Sequence, residues 1–367
     1  MKKIYVFLGV LLSILICFVA YKWWTRPKAK QPILQLSLMQ HETNPSNYRQ
    51  NRAKVVMGIY KGQFYFVPTD WWPFSHSLYR EKICCITNNS IKIVGKLKGK
   101  SLFSYPVLIG FIDNYFYYTW EERFGYYNEK DKEIHAYNLD TGQDDIIFIG
   151  KYTPYPLVIN NSLYLFPSRF SPDEKMDYML INGECAEKVE TSPPVYTIGD
   201  SLYCATDDYG IFKSKTDGIW EQVQQNNVNQ AGVCSVLIPV KRGLLIHNLK
   251  IGQVLSLINL DEEIEPLFEI PCLLAETEVT VYNDFVFLSV KRYEGFDEYG
   301  YIKRFEDDEK EGLYRIDLND YSVRKISSVI YQGLYILDSC LFACDEKCNI
   351  YQLDYEGNVI TAVLSMQ

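Results

Sequence analysis

The chain has 367 residues, 37 basic against 46 acidic, a formal net charge of −9 and 15% aromatic residues. An acidic surface repels phosphate backbones, which argues against nucleic acid as a partner. The ten cysteines match neither a small disulfide-framework fold nor the ligand spacing of a zinc site, so no metal or other cofactor is expected.

The N-terminus begins Met1-Lys2-Lys3 and continues without charge through residues 4–20. Tyr21, Trp23 and Trp24 follow, then Arg26, Lys28 and Lys30. An apolar run of about 20 residues is long enough to cross a bilayer as a helix. Aromatic residues at its end suit the membrane interface. The rival reading is a cleaved signal peptide, which needs a small-residue cleavage site. Ala20 is followed by Tyr-Lys-Trp-Trp, a poor site. Residues 1–24 are therefore expected to be a transmembrane signal-anchor holding the protein in the cell membrane by a single pass. The basic residues after the span count toward a cytoplasmic domain. The Met-Lys-Lys-apolar layout of an export signal favours an extracytoplasmic one, which is the reading taken.

Residues 1–30 hold six of the basic residues and no acid, leaving 31 basic against 46 acidic and a net charge of about −15 beyond them. Residues 25–53 read as a polar linker, with one apolar run at 33–39 as a candidate strand for closing a ring of sheets. Residues 54–367 read as short β-rich runs separated by Asp, Asn and Gly turns. The clearest unit is residues 333–364, four runs and three turns, the pattern of one four-stranded propeller blade. Earlier copies are predicted at 55–94, 107–149, 157–190, 195–222, 235–270 and 278–326. The predicted fold is all-β, a β-propeller of seven four-stranded blades after one transmembrane helix. Six or eight blades are compatible with the same repeat.

Two motifs recur. One is a polar turn followed by an apolar-aromatic strand, as in Asp113-Asn114-Tyr-Phe-Tyr-Tyr, Asn161-Ser-Leu-Tyr-Leu and Asn283-Asp284-Phe-Val-Phe-Leu. The other is Tyr before a downstream turn, as in Tyr314-Arg-Ile-Asp-Leu-Asn and Tyr351-Gln-Leu-Asp-Tyr-Glu-Gly. Across about 54–364 these motifs resemble the bacterial TolB-like and YWTD-like propellers of unknown function. The stretch from Gly210 to Glu221 resembles a degraded Asp-box hairpin of sialidase-like propellers, one residue short between Asp217 and Trp220. It speaks for the fold and not for an activity.

Function is expected in the links between the second and third strands, which open on one face of a propeller. Four of these are long. The first carries Trp71, Trp72, Phe74 and His76; the second Glu121, Arg123, Tyr126 and Tyr127; the third Arg169 and Phe170; the sixth Arg292, Tyr293 and Tyr299. Long loops on a rigid scaffold concentrate binding residues, and exposed aromatics mixed with Arg mark recognition surfaces. The expected function is a binding or scaffold module for a protein, peptide or glycan, attached to the membrane through its N-terminal helix. The alternative is a glycan hydrolase or lyase using Glu121 and Glu122, since such chemistry needs two spaced carboxylates. Catalysis has little else to draw on. No Gly-x-Ser-x-Gly elbow occurs. The phosphate-loop-like run from Gly95 to Ser101 is one residue short and follows a strand. Of the four histidines, His135 and His247 fall within strand patterns and read as structural. Cys344 and Cys348 flank a turn and are a candidate disulfide across a hairpin.

Overall fold

The computed structural model describes residues 10–18, 28–31, 55–68, 81–98, 104–122, 132–150, 157–159, 162–165, 176–191, 196–198, 201–206, 210–215, 220–224, 235–248, 253–269, 274–296, 302–304 and 309–365. Residues 10–18 form a helix whose Val10, Leu11, Ile14 and Ile16 are all more than half exposed. Among the described residues no helix is long and apolar enough to cross a membrane. The rest of the expected span lies outside them.

After strand β1 (Lys28–Ala29), strands follow in groups of four. The first sheet is β2 (Val55–Tyr60), β3 (Gln63–Pro68), β4 (Lys82–Thr87) and β5 (Ser90–Lys96). The second is β6 (Ser104–Ile112), β7 (Tyr115–Glu122), β8 (Lys132–Asn138) and β9 (Asp144–Gly150). The third is β10 (Leu157–Ile159), β11 (Ser162–Leu165), β12 (Met176–Asn182) and β13 (Cys185–Thr191), and the fourth is β14 (Tyr196–Ile198), β15 (Ser201–Thr206), β16 (Gly210–Lys215) and β17 (Trp220–Gln224). The fifth is β18 (Ser235–Val240), β19 (Gly243–Asn248), β20 (Gln253–Asn259) and β21 (Ile264–Glu269). The sixth is β22 (Leu274–Tyr282), β23 (Phe285–Phe296), β25 (Gly312–Asp317) and β26 (Val323–Ser327), with β24 (Ile302–Arg304) added on β23. The seventh is β27 (Tyr331–Leu337), β28 (Cys340–Asp345), β29 (Ile350–Leu353) and β30 (Val359–Ser365). Every pairing is antiparallel between sequence neighbours, except β1 on β30 and β23 on β25.

Turn chemistry explains the spacing. Both central residues of the hairpin turns Lys61-Gly62, Asn88-Asn89 and Asp338-Ser339 have positive φ. That geometry matches the twist of the flanking strands. Side-chain carboxylates and amides cap the wider turns. Asp354 accepts from the backbone N–H of Glu356 and Asn358, at 2.9 and 2.8 Å.

Among the described residues, apolar positions of one sheet pack against its neighbour at six of the junctions. One cluster joins the first and second sheets through Val67, Cys85, Phe116, Tyr118 and Tyr137. Others join the second to the third, fourth to fifth, fifth to sixth and sixth to seventh. The seventh sheet in turn packs on the first. Phe64 and Phe342 lie 5.0 Å apart between ring centroids, and the fully buried Tyr335 hydroxyl donates to the Val55 carbonyl at 2.9 Å. Sheets that follow in order, with the last closing on the first, make a β-propeller.

Three local expectations change. The ring-closing strand lies at Lys28–Ala29, paired with Ser365 and Leu364. The apolar run 33–39 lies outside the described residues. The sixth sheet's long link is not all loop, because β22 and β23 extend past the sheet as a ribbon that β24 joins. No bond joins the candidate disulfide pair, Cys344 and Cys348, in this structure. The register pairs Cys344 with Ile350. Cys348 sits in the turn with φ of 64°, where its backbone N–H donates to the Asp345 carbonyl at 3.1 Å.

Candidate functional site

The two faces of the propeller differ in how their chain links behave. On one face lie the turns between first and second strands and between third and fourth. Here the end of one sheet repeatedly grips the outer turn of the next. Tyr60 and Lys61 donate to Asp140 at 2.6 and 2.7 Å. Tyr115 donates to Glu184 and Tyr117 to the Gly183 carbonyl, both at 3.0 Å. Lys213 pairs with Glu262. Arg242 reaches Asn319 at 3.4 Å. Arg315 donates to Glu356 and, at 3.0 Å, to the Tyr355 carbonyl. Arg324 adds a second bond to Glu356 at 2.8 Å. The last sheet completes the pattern: Gln31, just past β1, donates its backbone N–H to Asn89 at 2.9 Å. The Lys61 ammonium and the Tyr60 hydroxyl hold the Asp140 carboxyl below the usual carboxylate range. Lys213 does the same for Glu262.

On the other face, the links between second and third strands are short in the fourth, fifth and seventh sheets and long in the first, second, third and sixth. Trp71, Trp72, Phe74, His76, Arg123, Tyr126, Tyr127, Arg169, Phe170 and Tyr299 fall in the long links, outside the described residues. Three expected residues fall on strands. Glu121 is paired with Tyr105 near the end of β7, and Glu122 with Ser104. They are strand residues and not loop residues. Arg292 is 7% exposed on β23, its backbone N–H donating to the buried Glu311 carboxylate at 2.7 Å. It is a buried residue of the ribbon, and not an exposed contact. Tyr293 is paired with Leu274 on one side and Arg304 on the other, so it is part of the ribbon. At the ribbon's root, Lys291 reaches across to Glu346 of the seventh sheet at 2.6 Å.

Strand patterns alone did not reveal one polar cluster between the first two sheets. The ring of His135 stacks on Tyr118 at 4.7 Å. Its Nδ1 lies 3.4 Å from Asp144 Oδ1 and its Nε2 lies 3.6 Å from Glu133 Oε2, and neither nitrogen makes a hydrogen bond. Tyr118 donates to the other Asp144 oxygen at 2.6 Å. Burial first, and then that bond, push the Tyr118 phenol well above the ordinary tyrosine range. The available signal was the two-residue step from Glu133 to His135, which puts both on one strand face. The groups are suited to proton transfer, but His135 is 4% exposed. Cys84, its thiol pushed up to about 12 by burial, is a poor nucleophile for the same reason. Among the described residues no group of three or more His, Cys, Asp or Glu side chains could hold a metal ion.

No family model and no curated protein matches the chain. Solved structures do. An acylaminoacyl peptidase of Pyrococcus horikoshii aligns over 86% of this chain and 54% of its own at 15% identity, with a TM-score of 0.47. The β-propeller domain of the Trilobed protease of Pyrococcus furiosus aligns over 84% of this chain and 96% of its own at 13% identity, with a TM-score of 0.44. BamB from Moraxella catarrhalis aligns over 78% and 86% at 11% identity, with a TM-score of 0.38. The chain spans about half the length of the peptidase.

Proposed function

We propose that this protein is a seven-bladed propeller tethered by residues 1–24 to the cell membrane, with the propeller outside the cytoplasm. It binds a protein or peptide through the face that bears the long links. The observation carrying this reading is the difference between the faces. One is closed by short turns locked from sheet to sheet. The other receives the four long links and the ribbon of β22, β23 and β24. In a seven-blade ring, blades six, seven, one, two and three are contiguous, so the long links form one arc around the short link of blade seven. Their sequence supplies Trp71, Trp72, Phe74, Tyr126, Tyr127 and Arg169, the residue types that dominate protein recognition. The apolar helix at 10–18, exposed along its described length, supports the tether.

Site-specific photocrosslinking in membranes from cells expressing the full chain tests the assignment. A photoreactive residue at position 293 should give a discrete adduct. The same residue at position 324, on the opposite face, should give none. Equal labelling from both positions, or labelling from 324 alone, overturns the reading.

A further inference from the structure

The domain beyond the tether is acidic, yet one edge of it is not. Residues 82–112 contain Lys82, Lys92, Lys96, Lys98 and Lys100 and no Asp or Glu. In the structure Lys82 lies on β4, Lys92 and Lys96 lie on β5 and Lys98 just follows it, at the outer rim of the first sheet, before the chain enters the second sheet at β6. Lys92, Lys96 and Lys98 are exposed, as is Ile93 between them at 46%. Lys82 and Lys96 are direct partners across the ladder, an arrangement in which like charges repel. Lys98 also donates through its ammonium to the Asp144 carbonyl of the second sheet, while Lys92 and Lys96 stand at the surface of β5. Glu81 is the acid at the foot of this edge.

The second observation is where the N-terminal chain arrives. Strand β1 packs beside β5, with Ala29 and Ile91 against the same core cluster. Gln31 bonds to Asn89 in the β4–β5 turn at 2.9 Å. Arg26, Lys28 and Lys30 lie on this incoming segment, and Lys30 is exposed. The basic rim and the basic tether therefore meet at one point of an otherwise acidic body.

We infer that the outer edge of the first sheet is a docking surface for anionic phospholipid headgroups. It holds the propeller on edge against the bilayer in which it is anchored, and this rests on the tether proposed above. The lysines supply charge complementarity, each strengthening attachment to an anionic surface about five-fold. Ile93 supplies apolar contact at the headgroup level. A body standing on its rim leaves both faces open, so docking does not compete with recognition by the long links.

The test uses the full chain reconstituted in vesicles of phosphatidylcholine alone or with phosphatidylglycerol. A benzophenone-bearing residue replaces Ile93, or Ile264 on the fifth sheet as control. Lipid adducts should form at position 93 in the anionic vesicles and fade at high salt. They should fall about 25-fold when Lys92→Gln and Lys96→Gln are combined, and position 264 should stay unlabelled. Labelling at 93 that ignores lipid charge, or matches that at 264, overturns the docking surface. Resistance to an alkaline wash reports the tether separately. If the wash strips the chain, salt-sensitive labelling at 93 by the unanchored protein still decides the rim.

Discussion

The short-turn face and the long-link face are built from the same strands, and they have divided the work of the molecule. On the first, contacts are periodic. A cation or phenol from one sheet meets an acid, amide or carbonyl in the outer turn of the next, from Lys61 with Asp140 to Arg315 with Glu356. Repetition of one contact type implies that each copy answers the same mechanical need, keeping neighbouring sheets in register. On the second, the links differ in length from sheet to sheet. They vary from a few residues to the ribbon that runs out to Phe296 and back through Ile302–Arg304, where Lys291 pairs with Glu346 of the next sheet. Where the fold needs rigidity it repeats itself, and where sequence is released from that need it diverges.

The largest effect should come from Gly243, at the start of β19 on the short-turn face. Its φ is +140°, and a Cβ there would lie 1.9 Å from the Ile258 carbonyl oxygen. Gly243→Ala should cost about 3 kcal/mol or more, or prevent folding, measured by chemical denaturation. A folded variant of native stability would break the contrast. Arg315→Ala comes next. The guanidinium holds two groups of the next sheet and lies 5.0 Å from the Phe285 ring centroid, and its loss should cost about 1.5–3 kcal/mol without changing partner binding.

Acid should loosen the same face. The carboxyls of Asp140 and Glu262 titrate below their ordinary range in the folded state. Their contribution is present above the unfolded value of about 4 and is lost as pH falls through the lowered folded values. Melting temperature should therefore drop below about pH 4, and by less in Glu262→Gln than in the native chain. The smallest change in stability, within about 0.5 kcal/mol, is expected for Trp71→Ala combined with Trp72→Ala. That variant should lose the adduct formed from position 293. A double variant that unfolds, or that keeps the adduct, would erase the distinction between the faces.

The scaffold was legible because its signals are local. Alternating apolar residues and the turn residues Asn88-Asn89, Asp338-Ser339 and Gly357 place strands within a few positions. Elements that depend on remote pairing were harder to read. The ribbon at 291–304 is polar, rich in Tyr, Glu and Gly, and has no alternation to announce a strand; it exists because β22 and β24 flank it. Strand β1 is two residues long and is fixed by the far end of the chain. The spacing of Cys344 and Cys348 suggested opposed positions across a hairpin, whereas the ladder pairs Cys344 with Ile350 and leaves Cys348 in the turn. Arg292 read as a surface contact because nothing near it in sequence announces that β23 continues through it, where its backbone N–H meets Glu311, 19 residues away. At the candidate site, the sequence named the links but could not say which of their residues are absorbed into strands.

The pairing of Lys28–Ala29 with Leu364–Ser365 has a mechanical consequence. The chain ends share one sheet, so any force applied upstream of Lys28 reaches the body through a splice two residues long. Load of that kind would strip β1 from β30 before it strained any of the four-stranded sheets. The ring would then open at the boundary between its last and first sheets, where Tyr335 and Phe342 are the next contacts to carry tension.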